Sequence, residues 1–324
     1  MDVTARHLAI PDGFRMRAPS LRDAAAVARL KRAVEVARHG DSDVTVDLVH
    51  EEWGLPRLDL RKDAWLIEDE RGRAAAYGLC WVEAPPGEIV ADQTVDPAAR
   101  GRGLSRVLLE AAEARGEELF RAAAPTSDGC LGVWTHESDA PRIELYERRG
   151  YTRVRTFLRL ERDLGPEVEE AAWPAGITIA GFRRGRDEAA VHAATEEAFR
   201  DHFRPAVMDL EEWLQFRFTR DDLDLGLWFV AWHGAEVAGE ALAFETPLGG
   251  YLDELSVRSR WRRRGVGRAL LLTACAELRR RGQPRAYLGV DSENPTGAMH
   301  LYASAGFRST RGQTFVFEKR LAAG

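Results

Sequence analysis

The sequence predicts an α+β protein built from two tandem domains of one kind, each with a mixed central sheet flanked by helices. Three observations lead to this prediction. The chain has 324 residues, which exceeds the size at which a single hydrophobic core usually keeps growing. Two sequence motifs occur twice, in the same order. Segments with the patterns of strands and helices also follow one another in the same order in both halves.

The repeated motifs lie at corresponding places in the two halves. The first is the end of an apolar strand, an arginine- and glycine-rich loop and a long helical pattern, and it occupies 94–119 and 256–282. The second is a Leu-Tyr pair followed by a glycine and an aromatic residue, and it occupies 143–154 and 299–310. Because both motifs recur at nearly one offset, we interpret the halves as two copies of one domain.

A short segment between the halves has the composition of a linker. Residues 164–175 contain two prolines and three glutamates, and they lie between two strand-like segments. We therefore predict an N-terminal domain over 1–163, a linker over 164–175 and a C-terminal domain over 176–324.

The elements of each domain follow from hydrophobic periodicity. Strands are predicted where apolar residues alternate or form short runs, at 14–20, 64–70, 74–83, 88–95, 131–136, 156–163, 176–182, 228–234, 236–245, 250–257, 285–291 and 314–321. Helices are predicted where apolar residues recur at helical spacing, at 21–38, from 103, and at 141–150, 187–203, 209–218, 267–282 and 296–306. Strands and helices mixed in this order are typical of an α+β domain.

The composition argues against several classes of partner. The net charge of −6 gives no reason to expect nucleic-acid binding. The cysteines Cys80, Cys130 and Cys275 form no metal-binding spacing and are too few for a disulfide framework, so we expect a reducing compartment. The sequence contains neither a run of about 18 apolar residues nor the apolar region of a signal peptide. We therefore expect a cytoplasmic protein without a membrane partner, either a monomer or a homodimer.

The loop RRRGVG at 262–267 has the features of an anion-binding site. Its glycines allow backbone N–H groups to approach a ligand closely. The helix that follows presents unsatisfied amides and the positive end of its dipole, and the arginines add charge. The loop lacks the lysine that precedes Ser or Thr in a P-loop, and it has no G-x-G-x-x-G pattern. These features favour a pyrophosphate that is held without a metal.

The pattern Arg/Gln-x-x-Gly-x-Gly/Ala between a strand and a helix resembles the coenzyme A pyrophosphate loop of the GNAT acetyltransferase superfamily. Arg262, Gly265 and Gly267 match all three positions in the C-terminal half. Arg100 and Gly103 match in the N-terminal half, where a serine takes the third position. The resemblance covers both halves. In this respect the chain is similar to the tandem, mycothiol synthase-like type of actinobacterial GNAT proteins. It implies acetyl-CoA as co-substrate and no metal.

The resemblance also implies which residues contact the coenzyme. The strand before the loop splays from its neighbour at a bulge and pairs with the pantetheine arm, and the loop holds the pyrophosphate. In the C-terminal half the implied residues are Leu255, Ser256, Val257, Arg262, Arg263, Arg264, Gly265, Val266, Gly267, Arg268 and Asn294. In the N-terminal half they are Val95, Arg100, Gly101, Arg102, Gly103, Leu104 and Ser105. Because Ser105 adds a side chain where the backbone approaches phosphate, we expect the C-terminal copy to be the better preserved site.

Direct acyl transfer needs an acid and a base. By the same resemblance, Tyr302 is the candidate general acid that protonates the departing thiolate, and Tyr146 is its counterpart in the N-terminal half. Glu254 is the candidate general base. Asp253 and Glu240 are alternatives, since strand alternation alone does not determine which carboxylate faces the cleft. A packing role for the tyrosine and a surface position for the carboxylate stay open at this point.

The features together predict an N-acyltransferase that moves an acetyl group from acetyl-CoA to the primary amine of a small molecule. One alternative is a non-catalytic regulatory protein that binds acyl-CoA. Another is a protein acetyltransferase acting on lysines or an N-terminus. Thiol release against a panel of amines separates the enzyme from the binding protein, and an open groove near Glu254 indicates a protein substrate.

Overall fold

The computed structural model describes residues 8–55, 57–84, 87–165, 169–203, 208–219 and 223–323. The chain forms two compact units. The N-terminal unit comprises Met1–Arg155 together with Thr314–Gly324, and the C-terminal unit comprises Thr156–Gln313. Each unit has its own strands, helices and hydrophobic core.

Strands and helices follow one another in nearly the predicted order. The strands are β1 (Phe14–Arg17), β2 (Ala64–Asp69), β3 (Ala74–Ala84), β4 (Glu88–Val95), β5 (Gly129–His136), β6 (Thr152–Asp163), β7 (Thr178–Gly181), β8 (Trp228–His233), β9 (Glu236–Thr246), β10 (Gly249–Val257), β11 (Arg285–Asp291) and β12 (Arg308–Leu321). The α-helices are α1 (Ala24–His39), α2 (Val46–Trp53), α3 (Leu60–Asp63), α4 (Leu104–Ala122), α5 (Ala140–Arg148), α6 (Glu188–Phe199), α7 (Leu210–Arg217), α8 (Val266–Arg280) and α9 (Ala298–Ser304). No helix in the described part of the chain is long and apolar enough to cross a membrane.

The N-terminal unit contains a mixed sheet in the order β1-β2-β3-β4-β5-β12. All neighbours are antiparallel except β4 and β5, which pair in parallel from Glu88–Cys130 to Ala91–Val133. Helix α4 packs on β3 and β4 and contributes Leu109 and Phe120 to a buried cluster. The C-terminal unit repeats this plan in the order β6-β11-β10-β9-β8-β7, with β10 and β11 parallel. The predicted α+β class is confirmed in both units.

The parallel strands of the C-terminal unit separate soon after they begin. Within the described residues, β10 and β11 pair at Gly250–Ala286 and Tyr251–Tyr287 and at no later position. A β-bulge interrupts the pairing of β10 with β9 between Leu252 and Glu254. The later halves of β10 and β11 therefore do not pair with each other along the edges that face one another. The resemblance implied this separation for β10, the strand before the loop.

The bulge also decides which side chains share a face of the sheet. Leu252 packs with the buried side chains of α8, such as Leu271. Without the extra residue, alternation would place position 254 on that same face. Because of the bulge, Glu254 pairs directly opposite Leu242, which packs with α6 and α7 through Val191 and Trp213. Glu254 is therefore directed to the face that α6 and α7 cover.

The last strand of each half lies in a unit different from the one its sequence position suggests. Residues 314–321 of β12 pair with β5 in the N-terminal unit. Residues 157–163 of β6 pair with β11 in the C-terminal unit. The structure thus divides the chain at 155/156 and 313/314, whereas the sequence prediction placed the domains at 1–163 and 176–324. The two strands follow equivalent helices in a repeated sequence, so their patterns do not specify which sheet each completes.

Helices α2 and α3 were not predicted from the sequence. Helix α2 has eight residues, a length over which hydrophobic periodicity is weak. The sequence nevertheless marks the start of α2 with a capping residue, because the Thr45 side chain accepts a hydrogen bond of 3.2 Å from the Leu48 amide. Asp59 caps α3 in the same way through the Arg61 amide. These capping residues were the available signal.

Candidate active site

A cavity of about 740 Å³ opens in the C-terminal unit where β10 and β11 separate. Its walls come from both strands, the loop before α8, the first turn of α8, and the segment that leads into α9. The predicted site residues that line it are Leu255, Ser256, Val257, Arg262, Arg263, Gly265, Gly267, Arg268, Asn294 and Tyr302. Three other predicted residues, Glu254, Arg264 and Val266, do not line it.

The loop before α8 turns sharply into the helix. Gly265 is the residue before α8 and has φ of +87°, a conformation that glycine adopts without steric cost. Gly267 lies in the first turn of the helix, where amides have no intrahelical acceptor. A Cβ at Gly267 would lie 3.4 Å from side-chain atoms of Leu301 and Val257, both of which line the cavity. The loop therefore presents helix amides and a glycine surface to the cavity.

Arg262 fixes the loop to its surroundings. Its guanidinium donates to the Val257 carbonyl at 3.1 Å and to the Ala198 carbonyl at 2.7 Å. It also donates to the Asp201 carboxylate at 3.0 Å. These contacts hold the loop to the end of β10 and to the end of α6. Arg262 thus has a positioning role in this structure, which the loop pattern alone did not reveal.

The other arginines of the loop differ in their partners. Arg268 donates to both oxygens of Glu169 at 2.9 and 2.6 Å, and Arg264 lies over the Trp261 ring at 5.3 Å. Arg263 lines the cavity and forms no hydrogen bond or ion pair within the described residues. Val266 is buried in the core, which explains why it does not reach the cavity. Arg263 is consequently the loop cation most available to an anionic ligand.

Tyr302 lies on α9 with its side chain against the cavity. The residue is 8% exposed, and its hydroxyl forms no hydrogen bond within the described residues. Burial raises the pKa of Tyr302 to about 12, because the phenolate is poorly solvated there. The hydroxyl therefore keeps its proton at neutral pH and has no competing acceptor. It has the properties of a proton donor to a ligand in the cavity.

The carboxylates near the cavity share one arginine from α7. Arg217 donates to Asp253 at 2.8 Å and forms a second hydrogen bond to Glu254. Asp253 lines the cavity, whereas Glu254 is 5% exposed and does not line it. Glu240 is buried on the neighbouring strand and accepts hydrogen bonds from the Thr195 hydroxyl and from the Trp228 ring nitrogen. Arg217 was not predicted from the sequence, because its role depends on a contact between distant segments.

The shared arginine does not neutralise all three carboxylates. Burial, with Glu240 and Asp253 nearby, raises the pKa of Glu254 to about 8, although Arg217 opposes this shift. Burial likewise raises the pKa of Glu240. One positive charge beside three acidic groups leaves excess negative charge out of water, so the cluster holds a proton at neutral pH. A carboxyl group with a pKa near 8 is well matched to proton exchange with an amine.

Ser256 and Asn294 are further polar residues of the cavity wall. The Ser256 hydroxyl is buried and has no hydrogen-bond partner within the described residues. The Asn294 side chain accepts hydrogen bonds from the amide and the hydroxyl of Thr296, at 2.8 and 2.5 Å. The Ser256 hydroxyl is therefore enclosed without a partner beside the cavity, while Asn294 orders the turn before α9.

The corresponding region of the N-terminal unit is arranged differently. Gly103 precedes α4 with φ of +81°, as Gly265 precedes α8. However, none of the predicted residues of this loop lines a cavity of about 380 Å³ in this unit; these residues are Val95, Arg100, Gly101, Arg102, Gly103, Leu104 and Ser105. Tyr146 is fully buried, and its hydroxyl accepts from Gln93 Nε2 at 3.0 Å and donates to the Trp134 carbonyl at 3.3 Å. Unlike Tyr302, it is committed to internal hydrogen bonds.

Comparison with protein families matches both units to acetyltransferases of the GNAT type. The Acetyltransferase (GNAT) family profile matches residues 190–307, and an Acetyltransferase (GNAT) domain profile matches residues 61–153. Each matched range includes the loop-to-helix junction of its unit. Within the described residues, no group of three or more His, Cys, Asp or Glu side chains is placed to hold a metal ion.

Individual relatives cover most of the chain. The mycothiol acetyltransferase of Acidothermus cellulolyticus is 31% identical over 274 residues, which are 78% of each protein. That of Thermomonospora curvata is 33% identical over 232 residues, 68% of this chain and 76% of the relative. A GCN5-related N-acetyltransferase structure from Sphaerobacter thermophilus is 31% identical with a TM-score of 0.77, covering 97% of this chain and 98% of that one.

A tandem GNAT protein from the clavulanic acid biosynthesis pathway has the same fold, with a TM-score of 0.68 at 20% identity over 96% of this chain and 99% of that one. The family profiles in both halves and the relatives that span the chain indicate one family. The protein is thus an acyl-CoA-dependent N-acyltransferase. The chain belongs to the GNAT acetyltransferase superfamily, as a tandem two-domain member of the mycothiol synthase-like type.

Proposed function

We propose that the C-terminal unit transfers an acetyl group from acetyl-CoA to the primary amine of a small molecule in the cytoplasm. The observation that carries this proposal is that one cavity is lined by the free Tyr302 hydroxyl, the open edge of β10 and the amino end of α8. The coenzyme pyrophosphate binds at the loop amides with Arg263, and the pantetheine arm follows Leu255–Val257 of β10. The three cysteines form no disulfide, which supports the proposal of a reducing compartment such as the cytoplasm.

In the proposed reaction the amine nitrogen attacks the thioester carbonyl. A C–N bond forms and the C–S bond breaks, and the amine loses a proton as the thiolate departs. Tyr302 gives its proton to the thiolate sulfur. The amine proton passes through a water molecule to Glu254, because Glu254 does not line the cavity itself. After the product leaves, a proton returns through water to the Tyr302 phenolate and Glu254 loses the one it accepted, which restores both groups. Arg217 positions the carboxylates and limits how far their pKa values rise.

The proposed acceptor is a small amine of the kind acetylated by the mycothiol acetyltransferases to which this chain is similar. Asp253 contributes a carboxylate to the cavity wall, which attracts a cationic amine. The experiment measures thiol release from acetyl-CoA with a panel of amino sugars, amino acids, polyamines and a lysine peptide. Release with small amines supports the proposal. Release with the peptide alone, or tight coenzyme binding without release, contradicts it.

The raised pKa of Glu254 predicts the pH dependence of turnover. A base must be ionised to accept a proton, and a group with a pKa of about 8 is largely protonated at pH 7 and ionised at pH 9. We expect the ionisation of Glu254 to raise kcat/KM about tenfold between these pH values in the wild type, in addition to the rise that the titration of the acceptor amine causes. Glu254→Gln should lower activity and remove this rise, leaving only the titration of the acceptor amine.

Asp253→Asn is the matched control for this measurement. It removes the neighbouring carboxylate that Arg217 also binds, but it leaves the proposed base in place. We expect this variant to keep a rising pH profile. If the rise of kcat/KM with pH were unchanged in Glu254→Gln and absent in Asp253→Asn, the base would be Asp253 instead.

A further inference from the structure

The cavity of the C-terminal unit includes a hollow above Gly289, a glycine in the middle of β11. We infer that Gly289 determines the specificity for the acceptor, and that the acceptor amine carries a ring with a nonpolar face, which lies over Gly289 between Phe157 and Tyr251. The inference rests on the proposed acetyl transfer, because it concerns the acceptor of that reaction. Its test measures the binding of the acceptor rather than turnover, so the two proposals can fail separately.

The coenzyme and the acceptor use opposite faces of the sheet. Helices α8 and α9, which carry the loop glycines and Tyr302, pack on the face that holds Leu252 and Leu288. The proposed base, Glu254, is directed to the other face, which α6 and α7 cover. An amine that gives its proton to Glu254 therefore attacks the thioester from the face of α6 and α7. The rest of the acceptor must lie along that face.

Gly289 lies on this acceptor face, because Leu288 and Val290 on either side of it pack in the core with α8. Strand β11 is a central strand between β6 and β10, yet Gly289 is exposed. An added Cβ would have no heavy atom within 4 Å among the described residues. A glycine inside a strand commonly marks a site where a ligand approaches the backbone closely.

Aromatic side chains lie at both ends of the hollow. Phe157 of β6 and Tyr251 of β10 both line the cavity. Phe157 pairs with Asp291, two residues after Gly289, and Tyr251 pairs with Tyr287, two residues before it. The centroids of the Tyr251 and Tyr287 rings are 5.2 Å apart, so these two rings share one face of the sheet. The hollow therefore has a floor without a side chain and aromatic walls.

Arg159 is directly opposite Gly289 but does not fill the hollow. Its guanidinium lies over the Tyr287 ring, 3.8 Å from the centroid, and its Nε donates to Glu161 at 3.1 Å. Arg159 does not line the cavity. The contact with Tyr287 also shows that the alternate residues Phe157 and Arg159 lie on the acceptor face.

A ring with a nonpolar face matches this hollow better than a linear group does. A flat ring can lie against the bare backbone at Gly289, and the aromatic walls contact its face or its edge. Aryl rings and the C–H faces of sugar rings share this property. A linear chain covers less of both walls and leaves part of the hollow unfilled.

Calorimetry tests the inference with amines added to protein that is saturated with coenzyme A. Two matched pairs serve as probes. 2-Phenylethylamine is compared with hexylamine, and glucosamine with its open-chain counterpart 1-amino-1-deoxysorbitol. We expect the ring amine of at least one pair to bind about tenfold more tightly than its linear counterpart. The pair that shows the difference distinguishes an aryl ring from a sugar ring.

Gly289→Val should lower the affinity for the preferred ring amine about tenfold or more and leave the affinity for coenzyme A unchanged. The φ of Gly289 is not positive, and valine suits a strand, so the substitution fills the hollow without straining the backbone. Gly181→Val is the matched control. Gly181 is a strand glycine of the same unit with open space at its Cβ, and it does not line the cavity.

Phe157→Leu tests one wall separately. It keeps an apolar side chain but removes the ring, so we expect several-fold weaker binding of the ring amine and unchanged binding of the linear amine. Thermal melting shows whether each variant is folded.

The inference is overturned if no amine binds the wild type, if linear amines bind as tightly as their ring counterparts, or if Gly289→Val keeps wild-type affinity. It is also overturned if Gly289→Val loses coenzyme A affinity to the same extent, since Gly289 would then border the coenzyme. Thiol release from acetyl-CoA tests the proposed function with the same amines. Ring-selective binding without release would contradict the acetyl transfer alone, and release without ring selectivity would contradict this inference alone.

Discussion

A Gly267→Leu variant is expected to lose about 10³-fold in acetyl-CoA affinity while it keeps its fold. Gly267 lies in the first turn of α8 with ordinary helical geometry, so a side chain there introduces no backbone strain. Its Cβ would make ordinary contacts of 3.4 Å with Leu301 and Val257, and the rest of the leucine would extend into the cavity that both residues line. The pyrophosphate would lose two or more charge-assisted hydrogen bonds, each worth about 1.5–3 kcal/mol.

Calorimetry with acetyl-CoA measures this loss, and thermal melting checks the fold. Ser105→Leu is the matched control, because Ser105 holds the same place in the first turn of α4 in the N-terminal unit. We expect it to bind acetyl-CoA as the wild type does. Gly265 is a poorer choice for substitution, since its φ of +87° would strain any side chain. Wild-type affinity in Gly267→Leu would contradict the assignment of the loop.

The sequence was most informative where function depends on neighbouring residues. The loop at 262–267 and the start of α8 were predicted correctly, because a strand end, a glycine turn and a helix follow one another directly in the chain. The fold class was predicted for the same reason, since each strand and helix has its own periodicity. Repetition of the pattern in both halves then identified two copies of one fold.

Features that depend on contacts between distant segments were not predictable. The position of Glu254 depends on the bulge at β10, which changes the face that the side chain occupies and brings it to Arg217 on α7. Alternation along the strand cannot reveal one inserted residue. The exchange of the last strands between the units has a similar origin, because each strand follows an equivalent helix in a repeated sequence and its own pattern does not specify its partner strand. The difference between Tyr302 and Tyr146 likewise depends on Gln93, which is 53 residues from Tyr146 in the sequence.

The second large effect is expected for Tyr302→Phe, which should lower turnover by on the order of 10²-fold with little change in acetyl-CoA affinity. The substitution keeps the ring that packs beside Phe307 and removes the only proton that the side chain can donate. Because the hydroxyl has no internal partner within the described residues, its loss leaves no buried group unsatisfied and should not destabilise the unit. Steady-state kinetics with an acceptor from the amine panel measures turnover, and calorimetry measures coenzyme binding.

Tyr146→Phe provides the matched control for this prediction. It removes the corresponding hydroxyl from the N-terminal unit, where that group bonds to Gln93 and to the Trp134 carbonyl. We expect a modest loss of stability of about 1 kcal/mol and wild-type turnover. If both variants turn over at the wild-type rate, neither tyrosine is the acid, and the thiolate takes its proton from water or from the acceptor. If Tyr146→Phe alone is slow, catalysis belongs to the N-terminal unit. The pair of variants therefore tests the chemical role of Tyr302 and the choice of unit in one experiment.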